Sequence, residues 1–542
     1  MMSNTVSRAA ILLAGAAFAV AAPAQAQRHD EHTAASDFAP ERVGAEFMVM
    51  EVTASEEARM AFLRGLALLH NFEYAFAARE FRKAQKADPE FVMAYWGEAM
   101  THNHPLWAEQ DRDKAREILA RLGADPTARA AKARSVKERR WLSAVEKLYA
   151  PEGTKIERDL AYLAAMQAML AAHPDDIDMR AFTGLATLGS SHGGRQIPIY
   201  MEAAGLLEPG FMTHPMHPGI LHYLIHSYDD PTHAPLGERM AERYAVVAPD
   251  AGHAQHMVSH IYLALADWEA TEKANVNASR VVNLQRAAQG RDPAYCGHYN
   301  EWLAYALLQQ GKDGSKLIKA CVAQMREAAA KAKAEGSDTV RGAFSAARVA
   351  LFLGVAEGEW LEPMELPQSA PMRSTNFLQA HAAFLRYHAS DLAKAKAGLA
   401  EMAAIYEDMA SSADATWAST YGAWMVRAIE RGEAIVEMAE GDRAAGMAAL
   451  EEAAAAELAL PIVFGPPAIF KPSYEILGEM HLTEGRKAEA AAAFEKSLKL
   501  APGRRLSLAG LEAAELFGDQ VIVNEPGISE DVAKLILGGI KE

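Results

Sequence analysis

The feature that most restricts the fold of this chain is a 34-residue spacing of small, aromatic and helix-ending residues. Between Ala58 and Glu90, the residues Gly65, Leu68, Ala77, Phe81, Ala84 and Pro89 stand at positions 8, 11, 20, 24, 27 and 32 of such a unit. Gly65 and Ala77 are small where two antiparallel helices must cross closely, and Phe81 and Ala84 fill the contact with the following unit. Pro89, after Asp88, cannot continue a helix and ends the second one. Near the other end an independent register puts Gly478, Ala490, Phe494 and Pro502 at positions 8, 20, 24 and 32, with Gly485-Arg486 at the turn between helices. Pro174 with Gly184, Pro249, and Gly311 after the Trp302 to Leu308 helix mark looser copies between them.

This is the tetratricopeptide (TPR) pattern, and it predicts an all-α TPR α-solenoid, a right-handed superhelix of antiparallel helix pairs. An array over 57–359 and a second over 373–518 are expected, separated by the Pro-rich segment 360–372. The flanks, 27–56 and 519–542, read as a linker and a tail. At the start, Arg8 precedes an apolar run from Ala9 to Ala22 and the triplet Ala24-Gln25-Ala26, the pattern of a secretory signal peptide cleaved after Ala26. A periplasmic or secreted chain with no mature transmembrane segment is expected.

Several function classes are set aside by composition and motif. With 71 acidic against 54 basic residues and no basic stripe interleaved with aromatics, nucleic acid is not an expected partner. The two cysteines, Cys296 and Cys321, are not spaced as CxxC or CxxCH, so neither a thioredoxin-like motif nor covalent c-type haem is present, and one bridge between them stays open. No Walker A, GxGxxG or GxSxG in a strand–helix context indicates a nucleotide site or a familiar hydrolase, and no HExxH occurs.

The histidines follow the repeat. His222 and His226 lie one helical turn apart, as do His256 and His260, and the two pairs are offset by 34 residues. With Pro249 at position 32, they occupy positions 5 and 9 of successive first helices, which in a TPR array line the concave wall. Neighbouring helix axes lie roughly 8–10 Å apart and metal–imidazole bonds are about 2.0–2.1 Å, so four such rings can converge on one ion. Imidazoles without thiolates suit Zn or Cu. His253 and His298, at position 2 of their units, and Asp229 are supplementary metal candidates. His70, His104, Trp96, Glu301 and Tyr305 are expected to line the groove or touch a ligand there. Asp230 and His233 add acid–base groups nearby.

In four segments the chain resembles a group of bacterial secreted TPR proteins. These are Gly65 to Phe72 with Ala94-Tyr95-Trp96-Gly97; His217-Pro218-Gly219 with His222-Tyr223 and His226-Ser227-Tyr228-Asp229; His253-Ala254-Gln255-His256-Met257 with Ser259-His260-Ile261; and Lys471-Pro472 with Glu475 to Glu479. The resemblance implies the TPR fold and export, and no settled activity. Three readings are therefore open: a metal-binding scaffold, a metal-free adaptor for a peptide or protein lying in the groove, and a metal-dependent enzyme of unnamed substrate using Asp229, Asp230 or Glu301 as base.

Overall fold

A computed structural model describes residues 40–411, 413, 421–461 and 464–516. The expected signal peptide, residues 27–39 of the linker and the tail after Leu516 lie outside the described residues.

The chain begins with α1 (Glu56–His70), α2 (Tyr74–Ala87), α3 (Val92–Met100), α4 (Arg112–Leu122), α5 (Pro126–Ala131), α6 (Val136–Leu148), α7 (Lys155–Ala172), α8 (Ile177–Gly189) and α9 (Ile197–Thr213). The central helices are α10 (Pro218–Tyr228), α11 (Ala234–Val247), α12 (Gly252–Ala264), α13 (Trp268–Ala288), α14 (His298–Gln309), α15 (Ser315–Glu335) and α16 (Ala343–Glu357). After an extended stretch come α17 (Arg373–Tyr387), α18 (Leu392–Ala410), α19 (Tyr421–Ala439), α20 (Arg443–Leu458), α21 (Ser473–Thr483), α22 (Lys487–Leu500) and α23 (Arg505–Leu516). Among the described residues the only sheet is a two-stranded antiparallel one, β1 (Asn103–His104) with β2 (Glu109–Gln110).

Successive helices pack as antiparallel pairs and each pair abuts the next, an α-solenoid. The repeat consensus is visible as packing. A Cβ on Gly65 would lie 2.9 Å from the Phe81 ring, and one on Gly97, in the following unit, 2.4 Å from it. The C-terminal copy repeats this, with Gly478 and Gly510 closing on Phe494 at 2.7 and 2.3 Å. Each phenylalanine thus fills the space that two glycines of adjacent first helices leave open. Helix starts are set locally: Ser55, Thr154, Asp176 and Asp267 each accept the backbone N–H three residues on, worth about 1 kcal/mol per cap.

The array doubles back on itself. Trp268 Nε1 donates to the Gly503 carbonyl at 3.2 Å, Gln309 Oε1 accepts the Arg505 N–H at 2.9 Å, and Arg348 donates to the Pro466 carbonyl at 3.1 Å. The segment 360–372 holds no α-helix and ends in a 3-10 turn, Ala370–Met372, and buried apolar residues continue across it, from Trp302 and Phe352 to Phe377 and Leu477. The apolar interior divides in the region of α12 to α14: one core runs from Val43 to Ala274, a second takes Leu263 and residues from Trp302 to Ala493, and a small third one gathers Ala490, Phe494 and Ala514. Cys296 and Cys321 are joined by a disulfide that ties the loop entering α14 to α15. No helix among the described residues is long and apolar enough to cross a membrane.

Candidate metal centre

The division between the two cores is where the histidines gather. Helix α10 starts at Pro218, whose fixed φ suits the first helical position. His217 caps it, Nδ1 accepting the Ile220 N–H at 3.3 Å. One turn apart on this helix, His222 and His226 share a face, and His253, His256 and His260 recur along one stripe of α12. His298 opens α14 after Gly297, whose φ of 121° turns the chain into the helix.

Partners fix the tautomer of four rings. His222 Nδ1 lies 2.6 Å from the His70 carbonyl, an acceptor only, so this nitrogen carries the hydrogen. His256 Nδ1 donates to Asn275 Oδ1 at 2.7 Å, and the amide cannot be reversed because its Nδ2 donates to the Thr271 carbonyl at 2.8 Å. Asp229 Oδ2 accepts from His260 Nδ1 at 2.9 Å and faces His226 Nδ1 at 3.5 Å. All four Nε2 lone pairs are thereby left for the interior. The Nε2 atoms of His222 and His226 are buried with no hydrogen-bond partner, and those of His256 and His260 face each other at 3.2 Å. Two nitrogens bound to one tetrahedral ion at about 2.0–2.1 Å stand roughly 3.3–3.4 Å apart, so this spacing fits a shared ion, whereas two bare lone pairs at that distance repel.

Electrostatics keep the rings in the ligating form. Burial pushes His222 and His256 well below the usual imidazole range and His226 down to about 4, leaving them neutral at pH 7. Burial alone would raise the Asp229 carboxyl, but the Arg195 guanidinium and the two ring N–H groups outweigh it and hold Asp229 ionised, well below the carboxylate range. Arg195 ion-pairs with Asp229, reaches Asp230 at 3.2 Å and lies over the Tyr200 ring. Asp230 in turn accepts from His233 Nδ1 at 2.8 Å.

Donor atoms close within 4.8 Å in two sets of histidines that share no member: His222, His226 and His253, and His256, His260 and His298. Ring centroids within them are 4.9 Å for His222–His226, 5.1 Å for His222–His253, 5.1 Å for His256–His260 and 4.4 Å for His256–His298. Aromatic side chains wall both. The Phe72 ring packs on His222, His253 and His226 at 4.3, 5.5 and 6.2 Å, from a residue at φ 56°, a conformation costly for phenylalanine. Trp302 stacks on His260 at 4.5 Å and meets His256 edge-on at 4.8 Å, and Phe464, 40% exposed, also stacks on His260 at 5.3 Å.

A third group, His70, Asp178 and His217, also has close donor atoms. Its chemistry differs. Because His217 Nδ1 accepts a backbone N–H, its hydrogen is on Nε2, which donates to Asp178 Oδ1 at 3.4 Å. His70 Nδ1 meets the Tyr223 hydroxyl at 2.8 Å. His217 and Asp178 are thus committed to each other, while His70 Nε2 is buried with no hydrogen-bond partner, 4.0 Å from Asp178 Oδ1.

The structure brings the six metal-candidate histidines and Asp229 together, and it moves the expected groove residues elsewhere. His70, Trp96, Glu301 and Tyr305 are all buried, at 0, 0, 4 and 1% exposure, because neighbouring helices and the returning C-terminal repeats cover the wall they were expected to line. Trp96 packs edge-on to Trp141 and Phe182, Glu301 pairs with Arg348 at 2.8 Å, and Tyr305 meets Phe352 and Phe470. His104 is not on a helix: α3 ends at Met100, Pro105 disfavours helix in the residue before it, and His104 stacks on Tyr74 from β1. Arg195, Phe72, Phe464 and Asn275 were not singled out by sequence reasoning. Two of them carry a signal in the sequence: Phe72 closes the segment Gly65 to Phe72, and Arg195 follows directly on the run Gly-Ser-Ser-His-Gly-Gly from Gly189 to Gly194.

No protein-family model matches the chain, and no curated protein matches it. Among solved structures, one described as "Structure of Naa15/Naa10 bound to HypK-THB" aligns at 14% identity over 84% of this chain, with a TM-score of 0.23. This chain spans 62% of that chain's length, and at this TM-score the likeness carries no inference about function.

Proposed function

We propose that this chain is an exported helical-repeat scaffold whose buried histidine cluster binds a transition metal, Zn or Cu. One observation carries the reading: Nδ1 hydrogens of four rings are tied outward to acceptors while their Nε2 lone pairs turn inward, two of them to 3.2 Å. That is how ligating histidines are oriented by their outer partners. Neutral imidazoles with no thiolate among the donors match Zn and Cu among common ions. Export is supported by the Met1 to Ala26 pattern and by the Cys296–Cys321 disulfide, a bond characteristic of oxidising compartments.

A metal-free peptide adaptor would need these rings on an accessible wall, and His222, His226, His253, His256 and His260 are exposed by 5% or less. The enzyme reading keeps one observation in its favour, that each set supplies three nitrogens, the number that leaves a fourth position open on a catalytic ion. The test is elemental analysis of untagged protein against the His226→Ala/His260→Ala variant. Zn or Cu is expected in the first and strongly depleted in the second. Equal metal content in both removes this cluster as the site.

A further inference from the structure

We infer that the cluster is a two-ion centre, one ion held by His222, His226 and His253 and its neighbour by His256, His260 and His298, with Asp229 orienting one ring of each set. The inference rests on the reading of the cluster as a metal site and adds its stoichiometry, its ligand partition and the kind of ligand it takes.

Sequence spacing alone suggests one ion centred between two helices. The coordinates divide the donors differently. Two nitrogens on one ion, each about 2.1 Å from it, are at most about 4.2 Å apart, so six rings strung along three helices cannot all reach one centre. The histidine donors instead close within 4.8 Å in two triads without a common residue, and a further set, His226, Asp229 and His260, joins one ring of each triad through the carboxylate. One set joins α10 to the first turn of α12, and the other joins the rest of that stripe to the first residue of α14. Helix α12 therefore serves both ions, with His253 on one side of the division and His256 and His260 on the other.

The sets abut. Rings of His226 and His260 are 5.4 Å apart, those of His253 and His256 6.3 Å. His226 and His260, one from each set, both turn Nδ1 to the same oxygen, Asp229 Oδ2. That carboxylate is already committed to two ring N–H groups and to Arg195, so it acts as a positioning residue rather than a ligand. With three ring nitrogens per ion, one tetrahedral position on each is left over. Neighbouring open positions in a buried, aromatic-walled site select a small ligand that two ions hold together, an arrangement used for bridging oxygen donors.

The test uses the full-length mature protein without a His tag, stripped with chelator, loaded with Zn2+ alone, dialysed and analysed for zinc per chain. Two ions per chain are expected, and one in each of His253→Ala and His298→Ala. One ion in the unmodified chain overturns the two-ion arrangement and leaves the metal reading standing, while no ion overturns both. Two ions in the unmodified chain and still two in both variants places the second ion elsewhere and also overturns it. Loading with Cu2+ gives a second readout independent of variant folding. Neighbouring paired spins should broaden the electron paramagnetic resonance signal at two ions per chain, and a spectrum of two isolated Cu2+ ions overturns the side-by-side placement.

Discussion

Replacing Asp229 by Asn tests whether outward-tied ring hydrogens organise the centre. The carboxylate is fully buried, accepts from His260 Nδ1 at 2.9 Å, faces His226 Nδ1 at 3.5 Å and neutralises Arg195. Asparagine keeps the volume but offers one acceptor oxygen and no charge, so at most one ring N–H keeps a good partner. Loss of such an outer partner typically lowers metal affinity about 10- to 100-fold, which corresponds to roughly 1.4–2.8 kcal/mol of binding free energy. The folded apo-protein should also weaken, by less than the roughly 3–5 kcal/mol that follows when a buried charge is orphaned, because Arg195 keeps Asp230 at 3.2 Å. Competition against a chromogenic chelator reads the Zn2+ affinity, and thermal unfolding of the metal-free protein reads the stability. A variant that stays folded and binds Zn2+ as tightly as the unmodified chain would refute the argument that Asp229 sets the ring orientation.

Other substitutions probe the supports of the site. Gly219→Ala should destabilise by about 1–3 kcal/mol, since its Cβ would fall 2.3 Å from His70 Nδ1; an unchanged melting midpoint contradicts that packing. Cys321→Ser should cost about 2–4 kcal/mol and lower occupancy at the His256, His260 and His298 set, because the bond holds the loop two residues before His298; zinc per chain measured in both forms checks the second effect. Burial holds His381, which accepts from Arg431, well below the usual imidazole range, so below about pH 6.5 the unfolded chain takes a proton that the folded chain refuses. Stability should thus fall with pH below that point, and less steeply in His381→Asn than in the unmodified protein when melting is followed from pH 7 to pH 5.

What the sequence reveals is what repeats. Phe81 and Phe494 at equivalent positions predict the glycine-lined helix crossings found at both ends, and the shared phase of the two histidine pairs predicts neighbouring rings, of which His226 and His260 stand 5.4 Å apart. Contacts made by the superhelix closing on itself leave no periodic trace. Phe464 reaches His260 and Phe72 reaches His222 from loops far away in the chain, and the His70 carbonyl that orients His222 is 152 residues upstream. The same closure explains why Trp96 and Tyr305, at positions that face a groove in an open array, are interior here. His104 fails for a local reason, a helix that stops at Met100 before Pro105.

The centre straddles the line where one apolar interior gives way to the other, with Phe72 rooted on the first side and Trp302 on the second. An ion there would work as a rivet between the two. Chelation should let the molecule melt in two steps, and loading should fuse them into one at higher temperature. Metal supply would then govern whether the long helical array behaves as one stiff piece or as two hinged ones.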